Sequence, residues 1–364
     1  MMIIRPSNKS IVSRIVQILI KVRFLPLKIN HAEQKILFRF CSPVALTFYL
    51  VYWGLIICIN IVGQLASQKI RYVIEDYFET SNIIDAISLM LFGTLLTVIF
   101  PFCPLLLAKG APSVSSLVLA TDLKWPRWGR KFIFSFLLSF SGSLLINISF
   151  FSHMLEDVNV STHVSAVIYV TPLLQHLLAS LYWLIPTLLL STWVEKFIFL
   201  CESEAKEEKM KHARKCVDLY TAIESGFGTF FCFLYGVTQL LLIFAFFVVI
   251  SRALGGNEPL AVKVVSSLGT LLVCSGFMLN IAALTFVLEE AYKCVTSIAK
   301  PLQNQLLTSV SERRRIKNVI REIESLGPLS GNGYFSITRG LLTSMVSVGI
   351  TYIIILVQFK ISAS

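Results

Sequence analysis

Seven stretches of this chain, at about 41–63, 83–108, 131–151, 166–193, 228–251, 262–288 and 336–359, are long apolar runs with few charges. Nothing else in the chain restricts its fold as much. A helix needs about 20 apolar residues to cross a bilayer, and backbone in lipid must satisfy its own hydrogen bonds. Runs of this length predict helices, because barrel strands would alternate over about ten residues. The composition agrees: 55% of residues are hydrophobic, 15% are charged and the mean hydropathy is +0.75, against roughly 25% charged residues in soluble domains. A disordered tail, a collagen and a disulfide-stapled secreted scaffold are excluded on the same figures. The predicted fold is all-α: a polytopic membrane protein of seven transmembrane helices. Pro101 and Pro104 predict a kink in the second span, and Pro172 and Pro186 interrupt the apolar run of the fourth, which continues through 197–200.

Positive charge orients such a protein. Residues 1–40 and the connections 109–131, 194–226 and 289–335 hold eight, five, six and seven basic residues, twenty-six in all. The other side collects five: Lys69, Arg71, Arg252, Lys263 and Lys360. The amino terminus is therefore expected in the cytoplasm and the carboxyl terminus outside, in the plasma membrane. That is the reverse of a G-protein-coupled receptor, and no DRY-like or NPxxY-like sequence stands at the span ends. The net charge of +11 thus reads as membrane topology, with no nucleic-acid partner. Residues 9–28 predict a basic interfacial helix, ended by Pro26, on the anionic lipids of the inner leaflet. No cleavable signal peptide is expected there. Asn159 opens an Asn-Val-Ser acceptor for glycosylation in an outer loop.

Four parts are predicted: a cytoplasmic segment 1–40, a six-helix ligand-binding domain 41–288, a cytoplasmic anchor segment 289–335, and a seventh helix with a short tail, 336–364. Segment 201–225 predicts one charged helix running beyond the bilayer, with pairs such as Glu202–Lys206 and Glu207–Lys211. Segment 311–326 places Ile316, Val319, Ile320, Ile323 and Leu326 on one helical face, with Arg and Glu on the other. Gly327-Pro328 should end that helix, and Gly331-Asn332-Gly333 predicts a flexible joint before the last span.

Catalytic motifs are missing: there is no HExxH, GxSxG, P-loop or GxGxxG, and no pair of carboxylates within the spans. No enzyme, cofactor or metal is expected, and the eight cysteines read as packing residues. What remains is scattered polarity in apolar helices. With the predicted orientation, Asp85, Ser88, Ser143, Asn147, Tyr169, Thr171, Gln175, His176, Gln239, Ser266 and Thr270 fall in the outer half, among Phe244 and Phe247. Polar groups between aromatics suit a small-molecule pocket. The competing reading is interhelical hydrogen bonding.

In the last span, Gly340, Ser344, Ser347 and Gly349 permit close helix approach. Thr351, Ile355 and Gln358 share one face, and an amide at membrane depth is satisfied in a water-filled pore. The run Thr351-Tyr352-Ile353-Ile354-Ile355-Leu356-Val357-Gln358-Phe359 resembles the TYhhhhhQF signature of insect gustatory receptors, where h is hydrophobic. It lies in the seventh span near the carboxyl end, and Gly333 and Phe335 precede it as in that family. The resemblance implies a ligand-gated, non-selective cation channel of four like or unlike family subunits, opened by a small tastant. It also implies a pore lined by the seventh helix, with Gln358 and Phe359 at the gate and Thr351 and Ile355 below, anchored between subunits by 289–335. The implied pocket lies among spans two to six. Sugar receptors tend to carry an acid after the Thr-Tyr pair, where this chain has Ile353, so a bitter or deterrent compound is favoured. A secondary transporter of a small organic solute is the runner-up, supported by the proline-bearing second and fourth spans, and a G-protein-coupled receptor comes third.

Overall fold

The computed structural model describes residues 11–21, 25–30, 35–39, 42–43, 46–47, 50–51, 54, 99, 102–120, 123–156, 162–203, 209–254, 260–308 and 313–363. The chain opens with α1 (Ile11–Lys21) and an antiparallel hairpin of β1 (Lys28–Asn30) and β2 (Lys35–Leu37). Helix α2 (Phe102–Gly110) follows, then a 3-10 turn at Ala111–Val114 and the short α3 (Ser115–Val118). The long helices are α4 (Gly129–Glu156), α5 (Thr162–Glu202), α6 (Lys209–Leu254) and α7 (Leu260–Ser297). Next come α8 (Ala299–Thr308), α9 (Arg313–Ser325) and α10 (Arg339–Ala363). Five helices among the described residues are long and apolar enough to cross a membrane; they overlap the third to seventh predicted spans. The predicted spans at 41–63 and 83–108 lie outside the described residues, apart from 42–43, 46–47, 50–51, 54, 99 and the part of α2 up to 108.

Which side chains α4 hides shows the solvent it was selected for. Ser135, Ser139, Ser143 and Ser149 are buried, whereas Ile133, Phe134, Leu137, Leu144 and Ile148 are exposed. Water would reverse that arrangement. In a bilayer, hydroxyls and glycines make the helix contacts and large apolar side chains meet lipid. The α4–α7 seam follows this rule. A Cβ on Gly269 would stand 2.6 Å from the Gly142 carbonyl oxygen, and one on Gly276 would stand 2.6 Å from that of Ser135. Backbone touches backbone there. Gly269→Val should therefore cost at least about 1–3 kcal/mol by overpacking, read as a lower thermal aggregation midpoint of the detergent-purified protein.

Pro172 and Pro186 both lie within α5, which runs unbroken for 41 residues. Segment 201–225 is not one helix: α5 ends at Glu202, and α6 begins at Lys209 and continues into the fifth span. The Glu202–Lys206 and Glu207–Lys211 pairs involve residues outside the described set. Helix α1 is described over Ile11–Lys21, within the predicted interfacial helix. Helix α9 matches its predicted periodicity, with Ile316, Val319, Ile320 and Ile323 buried.

The predicted flexible joint is a defined turn. Ser330 and Ser336 pair as an antiparallel bridge. The Gly331 N–H donates to the Phe335 carbonyl at 3.0 Å, and the Ile337 N–H to that of Leu329 at 2.7 Å. Asn332 (φ 50°) and Gly333 (φ 78°) take the left-handed conformation that Asn and Gly tolerate best. Helix α6 holds this turn. Tyr220 donates to the Gly327 carbonyl at 2.8 Å, Glu224 accepts from Ser330 at 2.9 Å, and Asn332 donates to Thr229 at 3.4 Å. The Tyr235 ring then packs on Phe335, with centroids 5.6 Å apart. Helix α6 is thus the rail along which the chain enters α10.

Candidate functional site

Helix α10 uses little of its surface to join the bundle. Met345, Gly349 and Ile353, spaced by four, are buried, and Gly349 lies against Leu242 and Gln239 of α6. At 3.6 residues per turn, the opposite face carries Gly340, Ser344, Ser347, Thr351, Ile355, Gln358 and Ser362, all exposed. Ile355 is 40% exposed. Val346, Val348, Ile350 and Ile354 occupy the flanks and are exposed as well, and Phe359 stands beside Gln358 at 64% exposure. Ser344, Ser347 and Thr351 each donate to the carbonyl four residues back, at 3.0–3.1 Å. Their protons are thereby satisfied within the helix, while their oxygens remain on the outer face. A membrane-length helix with a polar stripe turned away from its own bundle needs water or protein on that stripe. All four residues of the predicted gate set are exposed, and three of them (Thr351, Ile355 and Gln358) share the stripe.

A second polar group lies inside the bundle, between α4, α5 and α7. Ser135, Ser139, Ser180, Gly276 and Asn280 line a cavity of about 10 Å³ with Phe136 and Phe277. The hydroxyls of Ser139 and Ser180 and the Asn280 Oδ1 are buried without a protein hydrogen-bond partner. That is room for about one water, with the polar contacts a water requires. His176 sits one turn from Ser180 on α5, and its Nε2 is likewise buried and unpartnered. Ser143 and Asn147 continue the α4 face beyond Ser139, and Ser266 and Thr270 continue that of α7. The Ser149 hydroxyl, donating to the Val262 carbonyl at 3.1 Å, holds those two helices side by side.

The predicted pocket residues divide accordingly. Asn147 donates to the Ser143 carbonyl at 2.8 Å and Thr270 to that of Ser266 at 2.9 Å, so both bond within their own helices. Phe244 is half-buried against the core and Phe247 fully buried. Gln239 departs from the group: its side-chain amide faces Gly349 of α10, with neither polar atom partnered. Tyr169, Thr171 and Gln175 lie on α5, but their side chains are outside the described residues, as are Asp85, Ser88 and Asn159 altogether. Asn280, Ser139 and Ser180 were not singled out from the sequence. The signal was present, since Asn280 is an amide deep within an apolar run.

Charges tie one end of the bundle together. Just before α4, the Arg127 N–H donates to Glu195 at 2.8 Å and its guanidinium to Glu290 at 3.1 Å, with Glu202 at 3.8 Å. Arg339, the first residue of α10, meets Glu289 at 3.2 Å, and its guanidinium carbon stands 4.9 Å from the Phe286 ring. Trp128 stacks on Phe286 at 5.2 Å. This charged end joins the start of α4, the ends of α5 and α7 and the start of α10. Among the described residues, no three His, Cys, Asp or Glu side chains group as a metal site requires.

No protein-family profile matches the chain. No curated protein matches it either. Among solved structures, it is similar to the insect olfactory receptor OR5 from Machilis hrabei in complex with eugenol, with a TM-score of 0.61 and 13% identity over 96% of this chain and 98% of that one. A second structure of that receptor gives a TM-score of 0.53 and 13% identity, over 95% and 97% of the two chains. At this identity the likeness establishes the fold. The chain is a predominantly helical, multi-pass membrane protein with the architecture of that receptor.

Proposed function

We propose that this chain is a chemosensory receptor acting as a ligand-gated cation channel, in which several copies, four by resemblance to gustatory receptors, surround a path lined by α10. The observation that carries this reading is the exposed stripe of Ser344, Ser347, Thr351, Ile355 and Gln358 on the side of α10 away from its bundle. Lipid would leave that stripe's polar oxygens and amide unsatisfied. Water at the meeting point of several copies satisfies them. Likeness to an insect olfactory receptor supports the chemosensory assignment, and the Thr351-Tyr352…Gln358-Phe359 signature supports its gustatory branch. The charged end, rich in Lys and Arg, faces the cytoplasm in this reading, with the amino terminus.

The ligand belongs in the half of the bundle beyond the small polar cavity, near His176, Asn147 and Thr270 and the predicted Asp85, Ser88, Tyr169 and Gln175. Ile353, at the position where sugar receptors tend to carry an acid, favours a bitter or deterrent compound. Whole-cell recording from cells expressing this chain alone, with sugars, alkaloids and amino acids applied in turn, tests the reading. Evoked current that needs no second messenger is expected. Saturable solute uptake without such current would replace the channel by a transporter. For the ligand so found, His176→Ala should move the half-maximal concentration by roughly tenfold, the worth of one hydrogen bond, with the maximal current preserved.

A further inference from the structure

The connection leading into α4 is pinned at two points. Leu123 and Pro126 are buried, which turns Lys124 and Trp125 outward, both exposed. Gly129, the first residue of α4, has no side chain where the Trp125 indole lies. On α5, Phe199 follows Lys196 by one turn, and its ring is 50% exposed. The ammonium groups of Lys124 and Lys196 both stand over that ring, 5.4 and 5.2 Å from its centroid. A ring face attracts a cation but carries no net charge, so it neutralises neither ammonium. The carboxylates of this end face Arg127: Glu195 accepts its N–H, and Glu202 and Glu290 lie by its guanidinium. Among the described residues, Lys124 has no carboxylate partner.

This patch borders the surface that meets lipid. Arg130 and Lys131 are exposed in the first turn of α4, and Ile133 and Phe134 are exposed just after them. Charge gives way to apolar surface over about one turn, as it does where headgroups meet acyl chains. We propose that Lys124 and Lys196, flanked by Trp125 and Phe199, hold the headgroup of an anionic phospholipid whose acyl chains lie along the exposed apolar side of α4. The headgroup phosphate meets the two ammoniums, while the aliphatic lysine stems and the two rings stay in the interfacial layer. A soluble anion would meet the charges and leave the rings and the apolar surface in water, so the patch fits a lipid. The bound lipid joins the connection before α4 to the end of α5, beside the Arg127 contacts that tie both to α7. Its place in the inner leaflet rests on the orientation proposed above; the binding itself does not.

The full chain, purified in a neutral detergent, is titrated with phosphatidylglycerol or phosphatidylcholine of identical acyl chains, and bound lipid is counted by native mass spectrometry. The first phosphatidylglycerol should bind at least roughly tenfold more tightly than phosphatidylcholine, since each basic residue at an anionic surface is worth about fivefold. Lys124→Gln with Lys196→Gln should abolish most of that preference, and Lys124→Arg with Lys196→Arg should keep it. Arg313→Gln with Arg314→Gln, which removes two exposed charges from α9, should leave it unchanged. No preference in the wild-type chain, an unchanged preference in the double glutamine variant at 124 and 196, or an equal loss in the α9 variant overturns the proposal. Displacement of the lipid by an equal concentration of glycerol 3-phosphate also overturns it, because the patch would then take a soluble anion. The measurement needs neither tastant nor current, so its outcome is independent of the channel reading.

Discussion

Gln358→Arg should reduce ligand-evoked cation current by at least roughly tenfold while surface labelling of the protein stays unchanged, because a ring of fixed guanidinium charges repels cations from a narrow path. Gln358→Glu should retain or increase the current, since the same ring with opposite sign attracts them. The pair of variants separates an electrostatic effect from a folding defect. Gln358 is exposed on the face of α10 turned away from its own bundle, so neither replacement disturbs packing within the subunit. Arginine and glutamate giving equal currents would remove Gln358 from the permeation path. Recording at matched surface expression, with the cation as the only major permeant ion, reads the difference.

The second large effect concerns how α10 is held. A Cβ at Gly349 would lie 3.0 Å from the Leu242 Cδ2 and 3.5 Å from the Gln239 Nε2. Gly349→Leu therefore forces α10 off α6, at an overpacking cost of about 1–3 kcal/mol. Loss of evoked current is expected, with ligand-induced thermal stabilisation retained, because the α4–α5–α7 region where the ligand is proposed to bind does not touch Gly349. Gly349→Ala, which asks only the flexible end of Leu242 to give, should keep a measurable fraction of the current. If Gly349→Leu conducts normally, the α6–α10 contact does not position the conducting helix.

Much of this architecture was legible in the sequence, and what was missed has a common cause. Length and apolarity identify a membrane helix regardless of its orientation about its own axis, so α4 to α7 and α10 were readable as elements. Helix α9 was readable in finer detail because one of its faces is charged: Ile316, Val319, Ile320 and Ile323 could point only one way. In a helix that is apolar around most of its circumference, depth is readable but facing is not. Gln239 was sorted by depth into the pocket, although its face of α6 carries α10. Asn280 and Ser139 were passed over because nothing in one sequence says that α4 and α7 meet glycine against backbone. The prolines of the fourth span do not end it, since Pro172 and Pro186 lie within a helix that continues through both. The turn at 330–336 looked flexible from its glycines; the partners that define it, Tyr220, Glu224 and Thr229, lie about a hundred residues earlier.

The charged end adds a restraint that spacing did not reveal. Arg339 begins the proposed conducting helix and is held by Glu289 and Phe286 of α7. Phe286 is stacked in turn on Trp128, beside Arg127, which reaches α5 through Glu195. If the proposed ligand moves α4, α5 and α7, these contacts give a contiguous route to the first turn of α10, in addition to the α6 rail.

Cysteine accessibility along α10 bears most directly on whether its polar stripe meets water. Ser347→Cys and Thr351→Cys should react with a charged, membrane-impermeant methanethiosulfonate during ligand application and lose current, whereas Met345→Cys and Ile353→Cys, which face α6, should be spared. Reaction at 345 and 353 with none at 347 and 351 would place the conducting path elsewhere.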